Sequence, residues 1–507
     1  MIGCYSDALS AFPGDTVTLF ASSTTAAATL EVARVGAGRE VVLRREDLSL
    51  PDAPTRERPD VNGCGWPAAL SFRIGEAWRS GYYDIVLENA AGERCHHFVC
   101  VKAPRGGPRA AAALMLTTNT WRAYNWWGGA NAYADVTRLM SGELDLDAAM
   151  KDAIGVLSSE RPFAEPIIAM PPDGPRLMNG GRRGLGQRPR TDRPDLWRAW
   201  GLSPYDGAAG FLNKWEHHFV AWAEGEGIAL DYLTDGDLDA DPAALDGYKA
   251  LLAVGHSEYW SARQRDVVER FVDAGGGFAI LSGNTCYWKV RWEGTRLVCH
   301  KWRGFEAEPE GPEATHMWSQ PAFGRPEAEL TGLSFLFGGY HRLGLCVARG
   351  SGAYTVYDHR HWALEGADLF YGDSLGLDVP LLAYENDGCL FQFGDDGLPR
   401  AVPRLGVPAD LSIIALAPCA YGEDPKSGYR PVIPPEDFAA AAKVAFGDAS
   451  EASQQRLLRG HAVMASFRRG AGEVFNAGTT EWAYGLKARD PFIETITRNV
   501  LRRFGAM

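Results

Sequence analysis

Apolar residues along this chain follow two regimes. From Thr16 to Val101 they cluster in short β-rich runs: Thr16 to Ser22, Thr29 to Val35, Ala69 to Ile74, Tyr82 to Glu88 and His96 to Val101. Gly/Pro/Asp clusters such as Pro13-Gly14-Asp15, and the pair Ala91-Gly92, separate them. Strands of this length between turn signals predict a β-sandwich over residues 1–104. The segment from Lys102 to Pro108, rich in Gly and Pro, reads as a linker. From Ala110 onward buried runs alternate with amphipathic ones. Ala111 to Thr117, Ile228 to Leu233, Tyr248 to Val254 and Gly277 to Ser282 read as strands; Phe211 to Glu224 and Ala262 to Ala274 read as helices. This alternation predicts an α/β fold with a doubly wound, mainly parallel sheet over residues 105–507. Residues from about 290 to 410 are irregular and strand-rich, an expected insertion at the sheet's ligand edge. Leu411 to Ala417 and Glu473 to Asn476 read as strands returning to the sheet, and Asp490 to Phe504 as a terminal helix. Asp173 to Asp195, rich in Gly, Pro and Arg, reads as a long loop placed to cover a site.

Composition narrows the class. With 507 residues, 46% hydrophobic and 23% charged, the chain fits a soluble globular protein of two or three domains. Its formal charge is −13 and no Lys/Arg cluster offers a phosphate track, so nucleic acid is not an expected partner. No apolar stretch is long enough to span a bilayer, and the opening MIGCYSDALSAFPGD lacks the pattern of a secretory leader. Nine scattered cysteines without a CxxC argue against a disulfide framework or zinc knuckle and for a cytoplasmic location. Sixteen tryptophans suit a large core as well as an aromatic pocket. Homo-oligomerisation is open.

The candidate chemistry gathers where predicted strands end. Gly255-His256-Ser257-Glu258-Tyr259-Trp260 follows one strand and precedes a helix. Residues i and i+2 of extended backbone point the same way, so His256 and Glu258 can converge at the sheet's carboxyl edge, where open α/β folds bind ligands. An HxE pair alone is more often structural than metal-binding. Ser282-Gly283-Asn284-Thr285-Cys286-Tyr287-Trp288 follows the next strand; Gly283 permits a sharp turn, and Asn284 offers an amide to an oxyanion or a turn cap. The aromatic segment from Thr117 to Tyr133 brings Tyr124 and Tyr133, with Asn125 and Trp126, toward the same edge. A phenolate, an imidazole and a carboxylate together favour ferric iron over zinc. In Ala383-Tyr384-Glu385-Asn386-Asp387-Gly388, Glu385 is either a general base or a solvated hairpin carboxylate. Cys286 has no adjacent His and no nucleophile-elbow pattern, and no P-loop or GxGxxG follows a strand. His217 and His218 share a predicted helix, and His359 and His361 an expected surface turn.

Taken together, GHSEYW, SGNTCYW, AYNWWGG, AYENDG and the late FNAGTTEWA segment resemble the catalytic region of the N,N-dimethylformamidase large (beta) subunit family, from about Ala110 to the C-terminus. The resemblance implies an amidotransferase-like sheet, a mononuclear ferric iron and hydrolysis of the amide C–N bond of a small amide. It implies His256, Glu258 and Tyr133 as metal ligands, with Tyr124 the alternative to Tyr133. Asn284 and Glu385 follow as catalytic residues. Tyr124, Asn125, Trp126, Tyr259, Trp260, Tyr287 and Trp288 are the expected substrate pocket. The family's small partner subunit is not evident in the chain. The competing expectations are a non-catalytic small-molecule or carbohydrate binder on the same fold, and an enzyme working through Cys286.

Overall fold

The computed structural model describes residues 1–151, 153–172, 174, 201–343, 346–347, 349–424 and 433–507. Most of the long loop expected over 173–195 lies outside the described residues.

At the N-terminal end two sheets pack face to face. A three-stranded sheet holds Ile2–Ser6, Thr16–Ser23 and Ala68–Arg73. A five-stranded sheet is built around Ala27–Val35, Gly81–Asn89 and Arg94–Val101. The alternation of β side chains sorts them between two cores. Tyr83, Ile85, Leu87, Val99 and Val101 join Val17 and Leu19 inside the sandwich. Tyr82, Phe98 and Cys100 point outward into the core of the rest of the molecule. The five-stranded sheet is thus buried on both faces where Tyr82, Phe98 and Cys100 stand, while Asp84 and Glu88 of its central strand form a polar patch further along the outer face. Its edge strand Arg39–Ser49 is almost wholly exposed and charged, the composition that blunts a free sheet edge; that polarity hid it from the hydrophobic pattern.

The remainder is organised by one nine-stranded sheet. Leu230–Thr234, Ala112–Leu116, Ala250–His256, Gly277–Gly283 and Gly472–Asn476 lie side by side and parallel. Gly460–Arg469, Ser412–Cys419, Tyr354–Val356 and Ser374–Leu375 then continue the sheet antiparallel. The expected mainly parallel sheet is therefore a mixed one. The cause is local: Gly460–Arg469 meets Gly472–Asn476 through the tight turn at Gly470-Ala471, and strands joined so closely must run antiparallel. The alanines, Met464 and arginines of that strand favour helix intrinsically; position in the sheet overrides them.

Both faces of the parallel half are covered. Leu114, Leu252, Val254 and Leu281 face one core with Phe219 and Val220 of the helix Trp215–Gly225 and Ile496 of Pro491–Arg503. Leu251, Ala253, Phe278 and Ile280 face the other with Val267 and Val268 of Ala262–Asp273. Such two-sided burial explains the continuous apolar runs. The helix expected from Phe211 starts only at Trp215, because Asn213 takes a positive φ of 63° and Lys214 is extended. Residues 290–410 are divided: Trp288–Glu293 and Arg296–Val298 enter a four-stranded sheet, Ser334–Tyr340 pairs with Glu385–Gly388, and Tyr354–Val356 extends the main sheet.

Candidate active site

Strands Ala250–His256 and Gly277–Gly283 pair in parallel register with His256 opposite Gly283, so both carboxyl ends open on one place. Glu258 is held from two sides. Its backbone N–H donates to Thr120 Oγ1 at 3.0 Å, and its carbonyl accepts from the Tyr287 and Trp288 amides at 2.9 Å each. Thr120 belongs to the helix Thr118–Tyr124, which also carries Tyr124. Asn131 ties the two candidate tyrosines together: its Oδ1 accepts from the Tyr133 and Ala134 amides, and its Nδ2 donates to the Tyr124 carbonyl. Gly283 does not turn sharply; the positive φ values fall on Asn284 (50°) and Cys286 (59°). Glycine is needed at 283 for a close approach, since a Cβ there would stand 2.3 Å from the Glu385 carbonyl oxygen.

The side chains converge. Tyr133 donates to both carboxylate oxygens of Glu258 at 2.9 Å, and Tyr124 reaches Oε2 at 3.2 Å. Tyr259 donates to Tyr133 at 2.7 Å. Glu385 accepts from Asn284 Nδ2 and from Tyr340, each at 3.2 Å. His256 Nδ1 lies 2.8 Å from the Ala208 carbonyl, an acceptor only, so Nδ1 carries a proton. Nε2 faces Glu385 Oε2 at 2.6 Å and Glu258 Oε2 at 3.3 Å, but off the axis of a hydrogen bond, so it has no hydrogen-bond partner. Three rings, Tyr124, Trp215 and Tyr384, stand edge-on around the imidazole.

Burial works against the His256 imidazolium, but Glu385 and then Glu258 bring its pKa up to about 9. Burial lifts Glu258 to about 7, opposed by His256. Burial, then Glu258, pushes Tyr133 well above the ordinary phenol value. Lys301, its ammonium 3.1 Å from the centre of the Tyr133 ring, is lowered to about 8 by burial. The site thus concentrates acidic oxygens that resist ionisation without a cation. Among the described residues no group of three or more His, Cys, Asp or Glu side chains is placed to hold a metal ion by itself. A tyrosine oxygen adds a further donor beside these carboxylates. The set then fits a hard cation: one buried imidazole nitrogen without a hydrogen bond, a carboxylate, and a phenol oxygen touching that carboxylate.

These groups stand at one side of a cavity of 310 Å³ lined by Tyr124, Tyr133, Asn284, Tyr287, Trp288 and Glu385 among others. A larger hollow of 1080 Å³ lies at the opposite, amino ends of the parallel strands, around Lys249, Gly277 and Glu473; ligands of α/β sheets bind at the other end.

Four expected pocket residues lie outside the cavity lining; one of them, Tyr259, gives its hydroxyl to Tyr133. Asn125 spends its side chain on Pro162, Trp127 and Ala164, bracing the aromatic loop. Trp126 donates to Asp206 behind the wall. Trp260 donates to the Ser257 carbonyl and packs in the core on the sheet's far face, together with Cys286. Burial pushes the Cys286 thiol far up, and it lines no part of the cavity, which removes the cysteine route. His217 bonds Gly36, His218 packs on Tyr484, and His361 bonds Ser466 and caps a turn. The residues missed from sequence are Tyr384, Tyr340, Tyr205, Lys301 and Asp437, all in the cavity lining. Tyr384 adjoins Glu385 and was within reach of motif reading; the others come from segments without a motif.

A family model described as N,N-dimethylformamidase beta subunit-like, C-terminal, matches residues 29–496, taking in most of the N-terminal strands as well as the region from Ala110. No curated protein matches the chain.

Proposed function

The chain belongs to the N,N-dimethylformamidase beta subunit-like family, and from that premise we propose that it hydrolyses the C–N bond of small amides in the 310 Å³ cavity. The observation that carries the reading is the convergence of His256 Nε2, the Glu258 carboxylate and the Tyr133 oxygen beside Glu385. These three side chains would hold a ferric ion. When bound, it would supply Lewis acidity toward the amide carbonyl and toward water.

The chain's own groups do the rest. Glu385 takes a proton from the attacking water and delivers it to the amide nitrogen as the C–N bond breaks, leaving a carboxylic acid and an amine. Tyr340 and Asn284 each hold one of its oxygens and so fix its orientation. The second N–H of Asn284 remains for the oxyanion, a contact whose loss typically raises the barrier by about 3–4 kcal/mol. Tyr287, Trp288, Phe335 and Tyr421 exclude water from the reacting bond. That the parallel half of the sheet shares the winding of amidotransferase-like proteins, that residues 1–104 form a domain of their own, and that copies of the chain associate are further parts of the proposal.

Metal analysis of the purified protein tests it. Iron near one per chain, lost in His256→Ala and Glu258→Ala with the fold retained, is the expected result. In Glu385→Gln turnover falls by about 10²–10⁴ while iron stays bound. A metal-free protein that binds amides without turnover, its affinity untouched by Glu385→Gln, would replace this reading with that of a binding protein.

A further inference from the structure

Lys214 is buried, 3% exposed, and its ammonium sits inside a ring of backbone carbonyls. Pro166 O and Ile167 O lie at 2.9 Å, Asp206 O at 2.6 Å, and Ala209 O is also bonded. Four carbonyl oxygens are acceptors only. Burial, opposed by the Asp206 and Glu216 carboxylates, brings the amine down to about 7, but with no donor for a lone pair to meet, this ring selects the charged form. The residue is out of place by local rules: Lys214 is the N-cap of Trp215–Gly225, where side-chain oxygens are preferred and the helix dipole disfavours a cation. Breaches of that kind tend to serve a site. Gly210 completes the ring, since a Cβ there would stand 1.6 Å from Ile167 O.

The ring joins two segments that next meet further along, where Leu212 exchanges backbone hydrogen bonds with Ile168 and Met170. Pro166 and Ile167 belong to the short helix Glu165–Ile168, and Asp206 and Ala209 bracket the turn Asp206–Ala208. Between those two bracketing carbonyls lies the Ala208 carbonyl that accepts from His256 Nδ1. The same turn follows Tyr205, which stacks on Tyr133 at 5.7 Å. We infer that Lys214 is a positioning residue: its ammonium holds the 205–209 turn so that the Ala208 carbonyl keeps His256 protonated at Nδ1 and aims Nε2 at the Glu258 and Glu385 carboxylates. Without the cation four carbonyl dipoles face one another, the turn rotates away, and the imidazole loses its orientation. This inference concerns the metal reading's histidine, yet it stands on contacts that exist whether or not a metal binds.

The test uses full-length protein labelled with ¹⁵N-histidine and freed of metal. Wild type should show an exchange-protected ring N–H signal from Nδ1 of His256, identified by its loss in His256→Ala. Lys214→Met, a neutral side chain of similar length, should lose that protection while near-UV circular dichroism stays native. In Lys214→Ala, ammonium or potassium should restore the signal, and choline at equal ionic strength should not. Loss of an outer partner of this kind lowers metal affinity or turnover by about 10–100-fold, and kcat should fall with KM little changed. A protected Nδ1–H that persists in Lys214→Met overturns the inference and leaves the metal reading standing. Its disappearance in a protein that hydrolyses no amide sustains the inference and removes the enzyme. Should neither variant fold, wild type alone decides: an unprotected or Nε2-only ring proton is incompatible with it.

Discussion

Two tyrosines compete for one role, and the contacts separate them. Tyr133 touches both oxygens of Glu258 and receives the Tyr259 hydroxyl, while Tyr124 reaches one oxygen at 3.2 Å and shares its hydroxyl with Tyr384. Tyr133→Phe should therefore abolish iron binding and any visible tyrosinate-to-iron absorption, and Tyr124→Phe should retain both; metal content and an optical spectrum check this. Loss of iron in Tyr124→Phe alone would exchange the two assignments. His256, Glu258 and Asn284 were legible one by one, because a polar residue where a buried strand ends has few places to go; Glu385, which opens the strand Glu385–Gly388, was left open between a general base and a solvated carboxylate. Lys301 was not. Its segment reads as an ordinary basic turn, and only the fold lays its ammonium on the Tyr133 ring.

The helix Trp215–Gly225 shows how an element's ends answer to the core rather than to periodicity. Its first turn carries Glu216, an acid at a helix N-terminus, which the helix dipole favours in the ionised state. Burial is the stronger effect and raises the carboxyl to about 7. Oε1 accepts from Thr117 and Trp121, while Oε2 has no partner. A raised pKa means the folded state holds the proton more tightly. This group's contribution to stability is therefore full below pH 4.5 and is lost as pH rises through about 7. Across that window the loss is about 1.4 kcal/mol per pH unit. Glu216→Gln keeps both accepted bonds and cannot ionise, so its stability relative to wild type should rise by about 3 kcal/mol between acid and neutral pH. Guanidinium unfolding at the two ends of the range measures it; parallel pH curves for the two proteins would refute the assignment. Strand positions were legible here because two-sided burial writes continuous apolar runs. The boundary at Phe211 was misread because apolar residues of the loop and of the helix feed the same core.

At the scale of the molecule, the N-terminal sheets are packed onto the segment that organises the site. Tyr82 stacks on Phe98 at 5.2 Å and on Phe211 at 4.1 Å, and Phe211 immediately precedes the turn into Lys214. Arg34 pairs with Glu224 across the same boundary at 2.6 Å. Tyr82→Ala should thus cost about 3–5 kcal/mol and lower turnover although the residue is remote from the cavity. Calorimetry of wild type should show one transition instead of two. Two independent transitions, with Tyr82→Ala moving only the first, would mean the N-terminal sheets are an appendage. Among the described residues no helix is long and apolar enough to cross a membrane.

From its sequence alone this chain could be divided into a β region and an α/β region, and its chemistry placed at the ends of two strands. Those features follow from local periodicity and from the rule that buried strands deliver their last residues to an edge. Which side chains meet was decided by tertiary structure. Tyr133 and Glu258 are 125 residues apart and Asn284 and Glu385 101 apart, and no local pattern specifies such an encounter. The same holds for the antiparallel half of the sheet, set by a hairpin turn, and for the four carbonyls around Lys214, which belong to the folded backbone and leave no mark on the order of side chains.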